Sequence, residues 1–133
     1  MSIIKIRAAL ETALNNITLA IETAWENVPF TPTIGTPFQK CYLLLAEPDN
    51  SEYSTNYHAV GYMQIDLFYP LNDGSINAMT RAELIRDTFK RGNSYNNNGI
   101  YVIIERTPEI APSYNDGEFY IIPVKVRFFA HIT

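Results

Sequence analysis

The sequence predicts a single α+β domain over residues 1–133, in which a mostly antiparallel sheet of about five strands carries two helices packed on one face. Three observations support this fold class. Some stretches alternate apolar and polar residues with the two-residue period of a strand, and others repeat apolar residues at intervals of three and four. Polar or proline-containing links separate these stretches. Neither an internal repeat nor a domain boundary is visible in the sequence.

The central unit of the chain is a strand followed by a helix. Residues Tyr62 to Tyr69 alternate between two faces, and Pro70 ends the strand because proline cannot donate to a sheet ladder. A helix follows, and Gly92 is placed to cap its C-terminus at C′. Its apolar face consists of Ala78, Ala82, Ile85 and Phe89. This helix is the nearest cover for the apolar face of the strand.

The first part of the chain predicts one helix and two strands. Ser2 can cap a helix from about Ile3 to Asn16, in which apolar residues repeat at three and four. Residues Ile21 to Val28 form a strand that ends at a proline. A short apolar run from Cys41 to Ala46 predicts a second strand, and its continuous apolar character favours a position covered on both faces.

The last part of the chain predicts two strands separated by polar links. Residues 93–99 and 108–117 are expected to be loops, and the first strand lies between them, from Ile100 to Thr107. From Glu118 to Ile132 the even positions are apolar from Tyr120 onward, while the odd positions include Lys125, Arg127 and His131, and this pattern predicts the longest strand. Pro123 within it suggests a sheet edge or a bulge.

One hydrophobic core is expected, because the side of the strands that carries the alternating apolar residues faces the apolar side of the second helix. Its predicted members are Met63, Ile65, Leu67, Ala82, Ile85, Phe89, Val124, Val126 and Phe128.

Composition limits the class of protein. Of the 133 residues, 47% are apolar and 18% are charged, which is typical of a globular domain. The apolar runs are too short to span a bilayer, so no membrane association is expected. A secretory signal is also not expected, and the single cysteine, Cys41, suits a reducing compartment. The formal charge of −4 argues against a surface that grips nucleic acid.

No catalytic, cofactor-binding or metal-binding residues are predicted. The available nucleophile and bases, Cys41, His58 and His131, lie in no recognisable motif, and burial in the core is the simpler explanation for the cysteine. The carboxylate pairs Asp49 with Glu52 and Asp66 with Asp73 are explained by surface solvation. There is no glycine-rich phosphate loop and no His/Cys spacing suited to zinc.

Exposed aromatic residues and a long polar link predict an interaction surface instead. Tyr62, Phe68, Phe119 and Phe129 fall outside the core parity of their strands, and aromatic residues on an otherwise polar face often mark subunit contacts. The link from Glu47 to Tyr57 is long enough to project beyond the sheet. The residues expected at a subunit or tail interface are Asp49, Glu52, Tyr53, Tyr62, Gln64, Asp66 and Asp73.

The chain resembles the tail terminator-like proteins of tailed bacteriophages. The resemblance rests on IRAALETAL in the first helix, AWENVPFTP at Ala24–Pro32, GYMQIDLFYP at Gly61–Pro70 and RAELIRDTFKRG at Arg81–Gly92. It covers nearly the whole chain and is weaker after Gly92. The family has no catalytic motif to carry over.

This resemblance implies a small subunit that forms a ring, usually a hexamer, on the head-proximal end of the tail tube. The ring would stop tube growth and present the surface that joins the head. Its partners would be further copies of itself, the tail tube protein and a head-completion or connector protein, and DNA would pass the lumen without specific binding. The expected location is the head-tail junction of the virion, after assembly in the host cytoplasm.

Three alternatives stay open at this point. A head-completion or stopper protein and a tail tube subunit belong to the same particle, and related folds recur among such ring proteins. A small cytoplasmic enzyme or ligand-binding domain would need a deep pocket with convergent polar groups. A tube subunit would polymerise into filaments, whereas a terminator would stop at one ring.

Overall fold

The computed structural model describes residues 2–17, 21–33, 35–48, 50, 57–72, 74–97 and 99–132. Within them the chain forms two helices and eight strands. The elements are, in chain order, α1 (Ser2–Asn15), β1 (Glu22–Trp25), β2 (Phe38–Leu45), β3 (Tyr57–Pro70), α2 (Ile76–Thr88), β4 (Ser94–Asn97), β5 (Ile100–Ile104), β6 (Glu109–Ile110), β7 (Tyr114–Asp116) and β8 (Phe119–Ile132).

The strands form one mixed sheet that curls into a half-barrel. Its order is β1-β2-β3-β8-β5-β4, and β6 and β7 also pair with β8. The α+β class is therefore confirmed, but the prediction of a mostly antiparallel sheet of about five strands is wrong. The sheet has eight strands, and β1 runs parallel to β2. A parallel pair needs a crossover connection, which the alternation of residues within a strand does not reveal.

The two longest strands, β3 and β8, form the centre of the sheet. They pair antiparallel along their whole length, from Tyr57 opposite Ile132 to Pro70 opposite Phe119. The other edge of β8 is paired in succession by the short strands β5, β6 and β7. The alternation of residues predicted both long strands. It placed the start of β3 at Tyr62, whereas the strand begins at Tyr57.

Pro123 lies in this central strand rather than at a sheet edge. Its carbonyl accepts a hydrogen bond from the Ala111 amide at 2.9 Å, so its nitrogen also points toward that side of the strand. There β6 has ended at Ile110, and β7 does not begin until Tyr114. A missing N–H therefore costs little at this position, because the partner edge is itself interrupted.

Both helices cover one face of the sheet and enclose the core. All nine residues of the predicted core are buried together, with Phe89, Phe128 and Ile65 fully inaccessible. Cys41 belongs to the same cluster, which confirms that it fills the core. Ile3 belongs to the apolar repeat predicted for the first helix, but its side chain is 45% exposed.

Several local predictions need correction. Residues 93–99 and 108–117 were expected to be loops, yet they contain β4, β6 and β7. The β2 strand begins earlier than predicted and is not covered on both faces, since Leu44 and Leu45 are exposed. Gly92 is not the C′ residue of α2, because the C-cap is Phe89. Gly92 instead adopts a positive φ of 90° and donates its amide to the Ile104 carbonyl.

Candidate interaction face

The sheet has a second face that the two helices do not cover. In β3 the core-facing residues alternate with Tyr62, Gln64, Asp66 and Phe68, so these four side chains share the opposite side of the sheet. The register places residues of β2 on one flank and residues of β8 on the other. We call this side the free face. Its flanking members are Phe38, Lys40, Tyr42 and Leu44 of β2, and Phe119, Ile121, Lys125 and Arg127 of β8.

One end of the free face is an aromatic groove of about 590 Å³. The Phe38 and Phe68 rings are cross-strand neighbours that stack at 4.7 Å, and the Phe119 ring meets both rings edge-on at 5.4 and 5.7 Å. Phe30, from the proline-rich segment after β1, packs against Phe38 at 5.3 Å. Phe38 is only 2% exposed, so these rings form a small second cluster outside the main core.

The off-parity aromatics are therefore half-buried rather than fully exposed. This applies to Tyr62, Phe68, Phe119 and Phe129 alike, because each has a neighbour on an adjacent strand. The Lys125 Nζ lies 5.6 Å from the centre of the Tyr62 ring, and the Lys40 Nζ lies 4.9 Å from the centre of the Phe68 ring. Such cation–π contacts hold the lysine stems flat against the sheet.

The middle of the free face is polar. The Gln64 side-chain amide donates to Asp66 Oδ1 at 2.9 Å, and Asp66 lies directly opposite Lys40 on β2. Asp66 is only 8% exposed, so the expectation that it lies on an exposed surface is wrong. Burial raises the pKa of the nearby Tyr42 hydroxyl, and the negative charge of Asp66 raises it further.

The other end of the free face is a basic pocket of about 400 Å³. Lys125 and Arg127 reach it from β8, and Arg106 reaches it from the link between β5 and β6. Glu109 is the acidic residue in its lining, opposite Lys125 in the register. The wall also includes Tyr62 and Thr107. The protein has a net charge of −4, yet three of its ten basic residues lie together at this end of the free face.

The structure brings together three of the seven predicted interface residues. Tyr62, Gln64 and Asp66 lie in a row on the free face, as their alternation in β3 requires. The remaining residues lie outside the described part of the chain. They are Asp49, Glu52, Tyr53 and Asp73.

Sequence reasoning missed the contribution of β2 to this face. The free-face residues of β2 alternate with core-facing Cys41 and Leu43; they are Phe38, Lys40, Tyr42 and Leu44. The continuous apolar run at residues 41–45 obscured this alternation in the sequence. Aromatic or charged residues at every second position before Cys41 were the available signal. Arg106 was also missed, because no local pattern places a loop residue beside a strand.

The residues considered for catalysis do not converge. Cys41 lies on the core side of the sheet, whereas His58 and His131 are cross-strand neighbours on the free side, with ring centres 5.0 Å apart. Burial raises the pKa of the Cys41 thiol to about 12, with a further contribution from the charge of Glu11. The cysteine is therefore a protonated core residue at neutral pH rather than an activated nucleophile.

The described residues contain neither a metal-binding cluster nor a helix that could span a membrane. No group of three or more His, Cys, Asp or Glu side chains in that part of the chain is placed to hold a metal ion. The helices α1 and α2 are both too short and too polar to cross a membrane.

Comparison with known proteins identifies the family. One similar solved structure has a TM-score of 0.80 and 22% identity, and the alignment covers 100% of this chain and 98% of that one. This likeness shows a common fold. No curated protein sequence matches the chain. The family model for the phage tail terminator protein matches residues 5–128, which is nearly the whole chain. The chain therefore belongs to the phage tail terminator family and is a phage tail structural protein.

Proposed function

We propose that this protein forms a ring on the head-proximal end of the phage tail tube, where it ends tube polymerisation and presents the surface that joins the head. The observation that carries the proposal is the family match over residues 5–128. The absence of a convergent catalytic group among Cys41, His58 and His131 agrees with an action through binding alone.

The shape of the domain supports assembly into a ring. A ring needs two different surfaces on each subunit, because a head-to-tail contact closes only when one surface meets the other on the next copy. This domain has a helix-covered side and a free face on opposite sides of one sheet. The free face carries an aromatic groove and a basic pocket, and aromatic residues are enriched at protein interfaces.

The proposed partners are further copies of this chain, the tail tube protein and a head-completion or connector protein. A hexamer is the proposed ring, with DNA passing through a lumen that does not bind it specifically. The link from Glu47 to Tyr57 is proposed to reach a neighbouring subunit or the tail, through Asp49, Glu52 and Tyr53. Asp73, which lies between β3 and α2 in the sequence, is a further proposed contact.

The competing assignments predict different behaviour. A tail tube subunit would add copies indefinitely and form filaments, whereas a terminator stops after one ring. A head-completion or stopper protein would bind the portal side of the junction rather than the end of a tube. A small enzyme would lose activity when its titratable groups are removed.

The test of the structural assignment uses a triple variant, Cys41→Ala, His58→Gln and His131→Gln. The variant should support tail assembly as well as the wild type does, since none of these residues lies in the aromatic groove or the basic pocket. Tail lengths are measured by electron microscopy in phage that rely on the variant.

The matched control for that experiment is a phage without any copy of the protein, whose tails should be of uncontrolled length or lack heads. Loss of function in the triple variant, with folding and ring formation preserved, would contradict the proposal and point to chemistry at these residues.

A further inference from the structure

The outer side of α2 carries an exposed stripe with an apolar half and an acidic half. Ile76, Thr80, Glu83 and Asp87 follow one another at intervals of four, three and four, so they lie on one line along the helix. This line is opposite the side that buries Ala78, Ala82, Ile85 and Phe89. Ile76 is 79% exposed and the adjacent Met79 is 40% exposed, which leaves a large apolar end without cover. We call these residues the α2 stripe.

The free face has the complementary arrangement of chemistry. Its aromatic groove includes Phe68, and its basic pocket includes Tyr62, on the same strand. These two residues lie about 20 Å apart, at roughly 3.4 Å per strand residue. Ile76 and Asp87 lie about 16 Å apart, at roughly 1.5 Å per helix residue. An apolar end and a charged end are therefore separated by similar distances on both surfaces.

We infer that the α2 stripe of one subunit packs on the free face of the next copy of this chain, with Ile76 toward the aromatic groove and Glu83 and Asp87 toward Arg106, Lys125 and Arg127. The inference rests on the proposed ring and names the two surfaces that form it. Because these surfaces lie on opposite sides of one sheet, the contact is head-to-tail and propagates from copy to copy until the ring closes.

The charged groups near each surface support this orientation. The acidic half of the stripe consists of two exposed carboxylates, while Arg86 of α2 turns away and donates to the Pro108 carbonyl. The basic pocket contains three cations and one carboxylate, Glu109. Lys90 and Arg91 are exposed cations that follow Asp87; Arg91 donates its Nε to the Glu105 carbonyl, and Lys90 would oppose the contact. The net electrostatic attraction therefore favours an orientation in which the acidic half of the α2 stripe lies against the basic pocket.

A charge-swap experiment tests the contact. Glu83→Arg alone and Arg127→Glu alone should each weaken ring assembly on tail tubes about tenfold or more, because each places like charges together. The two changes combined in one chain should restore assembly, since the pair is then reversed. Lys90→Glu should strengthen assembly. All these positions are exposed, so the melting temperature of each variant should stay close to that of the wild type.

Matched controls separate this contact from a general effect of charge. Glu118→Lys and Lys5→Glu change the net charge by the same amounts, but neither residue lines the groove or the pocket. Both should assemble normally. Cross-linking gives a second readout, because Cys41 is the only native thiol and is buried. A mixture of Glu83→Cys and Arg127→Cys proteins should cross-link between copies, whereas either protein alone should not.

The outcomes separate this inference from the proposed function. If single reversals leave assembly unchanged while the wild type still limits tail length, the contact is wrong and the function stands. The contact is equally wrong if the reversals block attachment to the tube but leave the ring intact, because the free face then meets the tube. If the wild type neither forms a ring nor limits tail length, the proposed function itself fails.

Discussion

The sheet leaves no room for a side chain at Gly61. It lies in β3 opposite Leu45 of β2, where the two backbones approach closely. A Cβ atom at this position would lie 2.4 Å from the Leu44 carbonyl oxygen, far inside contact distance. The obstacle is backbone, so the strands themselves would have to separate.

Replacing Gly61 with alanine should therefore destabilise the protein by about 1–3 kcal/mol, the usual cost of overpacking. The damage should be local, because the Ala46 amide donates to the Val60 carbonyl beside this position. Thermal unfolding measures the first effect. Amide hydrogen exchange at Ala46 measures the second, and protection there should fall.

Gly99→Ala is the matched control, since nothing lies within 4 Å of its added Cβ. Its φ of 87° imposes a backbone cost of its own, but exchange at Ala46 should not change. An unaltered melting temperature and unaltered exchange in Gly61→Ala would show that β2 and β3 do not approach as described.

At this scale the sequence identified which side of a strand a residue occupies but not how deeply it is buried. Alternation placed Tyr62, Gln64 and Asp66 on one side of β3 correctly. It could not reveal that Asp66 is buried, because its cover comes from β2 and β8, which are distant in sequence. Burial of a polar residue depends on such partners, and a single strand does not contain them.

The α2 helix shows how the two sides of one element serve different purposes. Its inner side buries Ala78, Ala82 and Ile85 against the sheet, and Phe89 at its C-cap is fully inaccessible. The Phe89 ring also meets Tyr95 of β4 at 5.5 Å. Its outer side is the α2 stripe. If the α2 stripe forms the inferred contact, mutations within this one helix will separate stability from assembly.

Phe89→Ala should lower the free energy of unfolding by about 3–5 kcal/mol, the usual cost of emptying a buried aromatic site. Ile76→Ala, on the exposed side of the same helix, should change it by no more than about 0.5 kcal/mol. Chemical denaturation of both variants measures the difference. Equal stability in the two variants would contradict the described orientation of α2.

The elements that sequence patterns predicted are those that carry their own periodicity. The long strands β3 and β8 and the inner face of α2 are examples, and together they gave the core correctly. The short strands β4, β6 and β7 were missed because they are polar and contain two to four residues. Their strand geometry is imposed by the backbones of β5 and β8, to which they pair.

At the scale of the whole molecule, the sheet divides the domain into two unlike surfaces. One side is closed by helices whose outer stripe is apolar and acidic, and the other is an open face with aromatic and basic ends. Ile76 and Met79 on the outer side of α2 are exposed in the monomer, and the aromatic groove on the other side is open. A ring would allow each copy to cover the next, and its repeated contacts would strengthen a weak interface.

The candidate site could be predicted only in part for the same reason. Alternation in β3 identified the middle of the free face, and the family resemblance implied a ring. The groove and the pocket depend on β1, β2, β8 and the segment around Arg106 coming together in space. No local pattern in the sequence reveals that these segments lie next to one another in the fold.

The measurement that tests the ring most directly is the mass of the assembled protein, alone and after mixing with tail tubes, by native mass spectrometry and electron microscopy. We expect a single closed assembly, a hexamer, present once at one end of each tube. Filaments of increasing length, or a monomer that leaves tube ends bare and tube growth unlimited, would contradict it.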